Sequence, residues 1–360
     1  MDKFLYSNKR LIIISFTEEG TRLNERLCRE LDLCVCEGYG PERFAEKLTP
    51  LPGNIREWIA SQWGKNDFLF IGAVGIAIRM IAPLVKDKYT DSAVLSMDER
   101  GQYVIPLLSG HIGGGVELAE KIADWTGALP VITTATDVQK KFAVDVFARE
   151  NHLVITDREL AKCISAAVLE GKHIGIYVDT ECENWIGDMT GRLQQFEELR
   201  LCRNYEELEQ FEYGIRIGQN ADKKGQNVLY LLPQNIVVGI GCRKGTERAT
   251  LMKGISETLI EHSIRWEQIA AVVSINLKAQ EPGLLELCKE RNLPFITYSA
   301  EELKEVGSIS SSSKFVEQVT GVDNVCERAV KRYLKAYDGG TVIQEKRCLE
   351  EMTIAIGKWI

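Results

Sequence analysis

Three apolar runs between Phe68 and Asp137, each broken off by glycines or small hydroxyl residues, constrain this chain more than any other stretch. The first, FLFI, meets Gly72 and Gly75. The second ends at Ser109-Gly110-His111, and the third runs into Thr133-Thr134-Ala135-Thr136-Asp137. Short continuous apolar runs closed by turn residues read as buried strands. In an open α/β sheet the carboxyl ends of such strands face one crevice, where ligands bind. A single ligand crevice lined by these three strand ends is therefore expected.

The same alternation extends along the chain. RLIIISFT reads as a strand, and TRLNERLCRELD as an amphipathic helix with Leu23, Leu27 and Leu31 on one face. NIREWIASQW and VELAEKIADWTG follow as helices, the second closed by Gly127. The pattern restarts at Phe142 with FAVDVFARENHLVIT, then helix DRELAKCISAAVLEGK and strand HIGIYVD. QNIVVGIGCRKGT opens a third series of β–α repeats, and the tail reads as a closing hairpin. At 360 residues the chain is too long for one core. The fold class expected is α/β, multidomain, with parallel or mixed sheets flanked by helices. The domains expected are 1–139, 140–228 and 229–360.

The formal charge of -8, with no basic stripe, excludes a general nucleic-acid binder. The apolar run near the N-terminus is too short to span a membrane, and a cytoplasmic protein is expected. Ten scattered cysteines without a CxxC pair read as free thiols. Four histidines, none clustered with cysteines, make no zinc site.

Several constellations offer chemistry. Gly72 and Gly75 open a helix whose free N–H groups favour an anion, and Arg79 adds a bidentate partner for a carboxylate or else lies on the surface. Ser109, Gly110, Gly113 and Gly114 surround His111 with backbone that a ligand can approach closely. His111 is a candidate general base, hydrogen-bond donor or ligand to a metal carried by the substrate; the alternative is a structural histidine bonded to a loop carbonyl. Glu117 is a second acid or a partner for the positive helix start. Thr133, Thr134 and Asp137 bind ligand or cap the next helix. Asp91 is a ligand contact or a turn residue.

Gly241, Cys242 and Arg243, in GIGCRKGT, near-match a dinucleotide fingerprint, but the third glycine comes one position late. A second anion-binding loop is the simpler reading, with Cys242 packing rather than attacking. Lys278, Glu281 and Ser313 also follow strands or precede helices and are candidates to close over a ligand; the alternative is a surface loop and an ordinary capped helix.

Taken together, GAVGIAIRMIAP, DSAV, LLSGHIGGGVELA and TTATD, followed by GIGCRKGT, SINLKAQEPGL and SKFVEQVTGVDNVCERA, closely resemble the CbiG family of the anaerobic cobalamin pathway. Gly115-Val116 stand where that family more often has an Ala-Asn pair. The resemblance implies hydrolysis of cobalt-precorrin-5A: water opens a δ-lactone, and the C20 unit leaves as acetaldehyde, giving cobalt-precorrin-5B. On that basis His111 is the expected base, oriented by Glu117 or Asp137, with backbone N–H groups of Gly113 to Gly115 stabilising an oxyanion. Arg79 and Arg243 would hold peripheral carboxylates. No protein cofactor or metal is expected, since the substrate carries its own cobalt. The partner implied is that small-molecule substrate, with no nucleic acid and no membrane; homo-oligomers or transient contacts with neighbouring pathway enzymes go with it. The alternatives are a non-catalytic corrinoid carrier and, on the imperfect glycine fingerprint, a nicotinamide-dependent oxidoreductase.

Overall fold

Every residue of Leu11–Ser15 (β1) is buried, because this strand lies inside a sheet covered on both faces. Leu11 and Ile13 pack with Leu23 and Leu27 of helix Glu18–Glu30 (α1). Ile12 and Ile14 point the other way, toward Ile59 of helix Ile55–Gln62 (α2) and Ala77 and Ile81 of helix Val74–Ile81 (α3). Truncating a fully buried leucine such as Leu27 to alanine costs about 2–5 kcal/mol. The computed structural model describes residues 9–31, 35–88, 90–111, 113–183, 191, 193, 195–219, 225–337 and 340–359. Contacts divide the chain into two compact units, one up to Val146 and one from Phe147 onward.

The first unit holds a seven-stranded sheet. Besides β1 it contains Cys36–Gly40 (β2), Thr49–Pro50 (β3), Asp67–Ile71 (β4), Val94–Met97 (β5), Tyr103–Leu108 (β6) and Leu129–Pro130 (β7), in the order β3-β2-β1-β4-β5-β6-β7. All neighbours are parallel except β5 and β6, which pair antiparallel with Val94 opposite Leu108 and Met97 opposite Val104. A tight turn causes the reversal. Asp98 accepts hydrogen bonds from the N–H groups of Arg100, Gln102 and Tyr103 at 2.9, 2.8 and 2.6 Å, and Gly101 takes φ 67°. Helices Gly115–Thr126 (α4), Ala135–Val138 (α5) and Val144–Glu150 (α6) follow.

This one reversal corrects the expected single crevice. The end of β6 lies beside the start of β5, so the loop after Leu108 opens at the edge where β4 and β5 begin. β7 runs parallel to β6, which brings the Thr133–Asp137 segment to the same edge. Gly72 follows β4 at the opposite edge, its N–H bonded to the Met97 carbonyl at 2.8 Å.

The second unit holds two five-stranded sheets. One comprises Leu153–Ile155 (β8), Ile174–Val178 (β9), Leu199–Leu201 (β10), Gly214–Ile217 (β11) and Val228–Pro233 (β12), ordered β10-β9-β11-β12-β8. Its β8 is antiparallel to β12. The other comprises Ile236–Cys242 (β13), Ile269–Ile275 (β14), Phe295–Tyr298 (β15), Thr341–Cys348 (β16) and Met352–Lys358 (β17), ordered β15-β14-β13-β17-β16. Here β13, β14 and β15 are parallel, and the β16–β17 hairpin closes the sheet antiparallel, as the tail pattern predicts. Among the described residues no helix is long and apolar enough to cross a membrane.

Candidate active site

The loop leaving β6 folds back on itself. The Gly115 N–H donates to the Ser109 carbonyl at 3.1 Å, Val116 N–H to Gly110 at 2.9 Å and Gly114 N–H to His111 at 3.0 Å. Such closure needs left-handed backbone, found at Ser109 (φ 54°) and Gly114 (φ 77°). For the serine this conformation costs about 1–2 kcal/mol. Its hydroxyl donates to the Asp91 carbonyl at 3.3 Å. A Cβ on Gly113 would lie 2.5 Å from that of Ser109, so only glycine fits. The N–H groups of Gly114 and Gly115 are thus occupied inside the loop, which corrects their expected part in an oxyanion site.

His111 is held from two sides. Its Nε2 lies 2.8 Å from Asp137 Oδ2, in α5, and 3.3 Å from the hydroxyl of buried Thr136. Its Nδ1 lies 3.5 Å from Asp145 Oδ1, in α6. The side chains of His111 and Asp137 keep 15% and 28% of their surface exposed, so this end opens outward, while Asp145 keeps 11%. Lys88 Nζ stands 3.4 Å from the other Asp145 oxygen. Hydrogen bonding to Asp145 raises the His111 pKa, burial opposes this, and Asp137 adds to the rise. Burial pushes Asp145 upward, but His111 and Lys88 outweigh it and its carboxyl ends below the ordinary value. Burial and the nearby Asp137 charge raise Glu120, on α4.

Asp145 is the residue that sequence reasoning missed. It sits in FAVDVFARE between Val144 and Val146, where apolar neighbours make it look like part of a core element. That is also the signal that exposes it: an acid buried among apolar residues must find a cation or donors.

The other candidates of the first unit fall in different places. Glu117, in the first turn of α4, pairs with Lys121 at 2.8 Å. Thr133 is exposed, and Thr134 precedes α5 without a side-chain cap bond. Asp91 is buried and accepts from Trp63 Nε1 at 3.1 Å and from the N–H groups of Lys86 and Asp87 at 2.8 and 3.0 Å. It clasps the loop that carries Lys88. Gly72 (φ 145°) and Gly75 form the turn at the opposite sheet edge, and Arg79 is exposed with Nη1 donating to the Gly75 carbonyl at 3.1 Å.

In the second unit Gly241 lies inside β13, where a Cβ would meet Thr353 Oγ1 at 2.7 Å, so packing explains it. Burial raises the Cys242 thiol, which is the wrong direction for a nucleophile. Arg243 is exposed. Glu281 is buried, accepts the Gly245 N–H at 2.6 Å and pairs with Lys278 at 2.8 Å. Burial pushes its carboxyl up, but Lys278 and the Gly245 N–H outweigh this and hold it below the ordinary value. A cleft of about 400 Å³ lies alongside, lined by Thr246, Arg248, Pro282, Gly283 and Glu286 among others. Ser313 caps helix Lys314–Thr320 by accepting the Val316 N–H at 3.4 Å. Fully buried Glu327 holds the serine loop, accepting the Ser310 N–H at 3.0 Å and pairing with Lys331 at 2.8 Å. Among the described residues, no group of three His, Cys, Asp or Glu side chains is placed to hold a metal ion.

Comparison with known proteins covers nearly the whole chain. Family models described as "Cobalamin synthesis G N-terminal", "Cobalamin biosynthesis central region" and "Cobalamin synthesis G C-terminus" match residues 57–137, 142–233 and 236–357. Proteins named cobalt-precorrin-5A hydrolase from Salmonella typhimurium and Priestia megaterium are 36% and 33% identical to it. The first match covers 88% of this chain and 89% of the relative; the second covers 89% and 88%. The crystal structure of a cobalamin biosynthesis protein G homolog from Sulfolobus solfataricus is 22% identical, covers 97% of each chain and gives a TM-score of 0.39.

Proposed function

The chain belongs to the cobalamin synthesis G (CbiG) family, and from that membership we infer that it is a hydrolase that acts on cobalt-precorrin-5A. Water opens the δ-lactone of the substrate, the C20 unit leaves as acetaldehyde, and cobalt-precorrin-5B remains. Lactone hydrolysis yields a carboxylate and a carbinol. Expelling the carbinol carbon as an aldehyde removes the O–H proton, breaks the C–C bond and leaves the electron pair on the macrocycle, which is quenched by a proton. The reaction therefore needs a proton acceptor and a proton donor at one place.

The contact that carries this reading is His111 Nε2 against Asp137 Oδ2 at 2.8 Å, at the outward-facing end of the glycine loop. His111 and Asp137 move the two protons, and Thr136 helps to hold the imidazole. Arg79 and Arg243, both exposed, are offered to peripheral carboxylates of the substrate. Cobalt enters with the substrate, so the protein contributes no cofactor of its own. The same proposal places the protein in the cytoplasm, divides it into domains 1–139, 140–228 and 229–360, and includes self-association or passing contact with neighbouring pathway enzymes; limited proteolysis and light scattering test the last two points.

Anaerobic incubation of the full chain with cobalt-precorrin-5A, following acetaldehyde and corrinoid mass together, tests the activity. Equimolar acetaldehyde and cobalt-precorrin-5B are expected. Tight binding with neither product contradicts the hydrolase and identifies a carrier.

A further inference from the structure

Each ring nitrogen of His111 faces a carboxylate: Asp137 lies 2.8 Å from Nε2 and Asp145 lies 3.5 Å from Nδ1. A neutral imidazole has one N–H and one lone pair, so it serves only one of two such acceptors; the imidazolium serves both. The two acids differ in their surroundings. Asp137 keeps 28% of its side chain exposed, whereas Asp145 keeps 11% and has Lys88 3.4 Å from its second oxygen. A carboxylate this buried is costly unless ionic partners compensate it, and His111 and Lys88 stand on either side.

We propose that Asp145, backed by Lys88, is a positioning residue that keeps His111 doubly protonated, so that His111 delivers a proton in the reaction and Asp137 receives one. The proposal rests on the reading above that His111 and Asp137 sit at the reacting centre, and it reverses the role of base that the sequence suggests for His111. Asp137 takes the carbinol O–H proton as the C–C bond breaks and the C=O bond of acetaldehyde forms. The released electron pair stays on the macrocycle and is captured by the Nε2 proton of His111. Asp137 is then neutral and so is His111; transfer of the proton from Asp137 to His111 across their 2.8 Å contact restores both.

The charges around His111 come from four segments: Asp137 on α5, Asp145 on α6, Lys88 behind Asp145, and Glu120 on α4 near Asp137. Their balance favours the imidazolium, in line with the raised His111 and lowered Asp145 values.

Single-turnover rates of the full-length protein across pH test this, together with an NMR titration of His111 assigned by comparison with His111→Ala. In the wild type the rate is expected to fall as pH rises through the His111 titration. Asp145→Asn is expected to move both the limb and the titration down by about 1–2 pH units, the usual effect of an adjacent opposite charge. Lys88→Met, at a half-exposed position, is expected to move both slightly upward, because Asp145 loses its competing cation. A rate that rises with pH through the His111 titration, or an Asp145→Asn limb and titration that do not move, overturns the proposal. If Asp145→Asn does not fold, a Lys88→Met profile that stays put or moves downward does so instead. Normal turnover by His111→Ala removes the underlying reading; an inactive His111→Ala combined with an unmoved Asp145→Asn profile removes only the role of Asp145.

Discussion

The loops Ser109–Gly115 and Gly241–Thr246 look alike as strings: an apolar strand, closely spaced glycines, then a helix. Their structures diverge in what is left over once the backbone is satisfied. In the second loop the nearby acid, Glu281, is consumed by Lys278 and the Gly245 N–H, and the helix Pro282–Arg291 packs so closely on the loop that a Cβ on its Gly283 would lie 2.3 Å from the Thr246 carbonyl oxygen. In the first, loop closure uses backbone groups alone, and His111 and Asp137 remain paired with each other and partly open. A glycine-rich turn is thus a way to bring backbone close; whether it is also a reactive centre depends on titratable groups that the local packing does not use.

The sharpest separation of the two loops comes from the first acid–base partner. Asp137→Asn is expected to lower turnover by about 10²–10⁴-fold while the folded fraction and thermal midpoint stay near wild type, measured by acetaldehyde release and calorimetry. Comparable turnover would erase the distinction. Against the second loop, Gly283→Ala is expected to do the reverse, lowering stability by about 1–3 kcal/mol or more through overpacking on Thr246 while turnover per folded molecule is unchanged; chemical denaturation and active-site titration check it. A smaller effect belongs to Glu281. Its folded pKa lies below the unfolded value, so its contribution is present above about pH 4.3 and is lost as pH falls through the folded value. Thermal melts from neutral to acid pH should show that loss in the wild type and not in Glu281→Gln. Least of all, Arg243→Ala is expected to raise KM a few-fold with kcat intact, as fits an exposed contact to a peripheral carboxylate.

Much of this was legible in the residues. Continuous apolar runs marked β1 and β4, Leu23 and Leu27 marked the buried face of α1, and the closing hairpin β16–β17 was plain in the tail. The direction of β6 was less so, because an apolar run does not state which way it points. The clue lay between the strands: only residues 98–102 separate β5 from β6, far too few for the crossover that parallel strands require. Without that turn Gly72 and His111 would share one crevice, whereas the sheet puts their loops at opposite edges. Asp145 is harder for a different reason: the local pattern shows an acid between Val144 and Val146, but its partner His111 lies in a loop 34 positions earlier, which that pattern does not name.

The chemistry proposed for the glycine loop depends on His111. Full-length His111→Ala, shown to be folded and to bind cobalt-precorrin-5A, should be followed anaerobically for acetaldehyde and corrinoid mass in a single turnover beside the wild type. Retained binding with release slowed by at least about 10²-fold is the predicted result. Acetaldehyde and cobalt-precorrin-5B appearing at the wild-type rate would contradict it and move the chemistry away from the glycine loop.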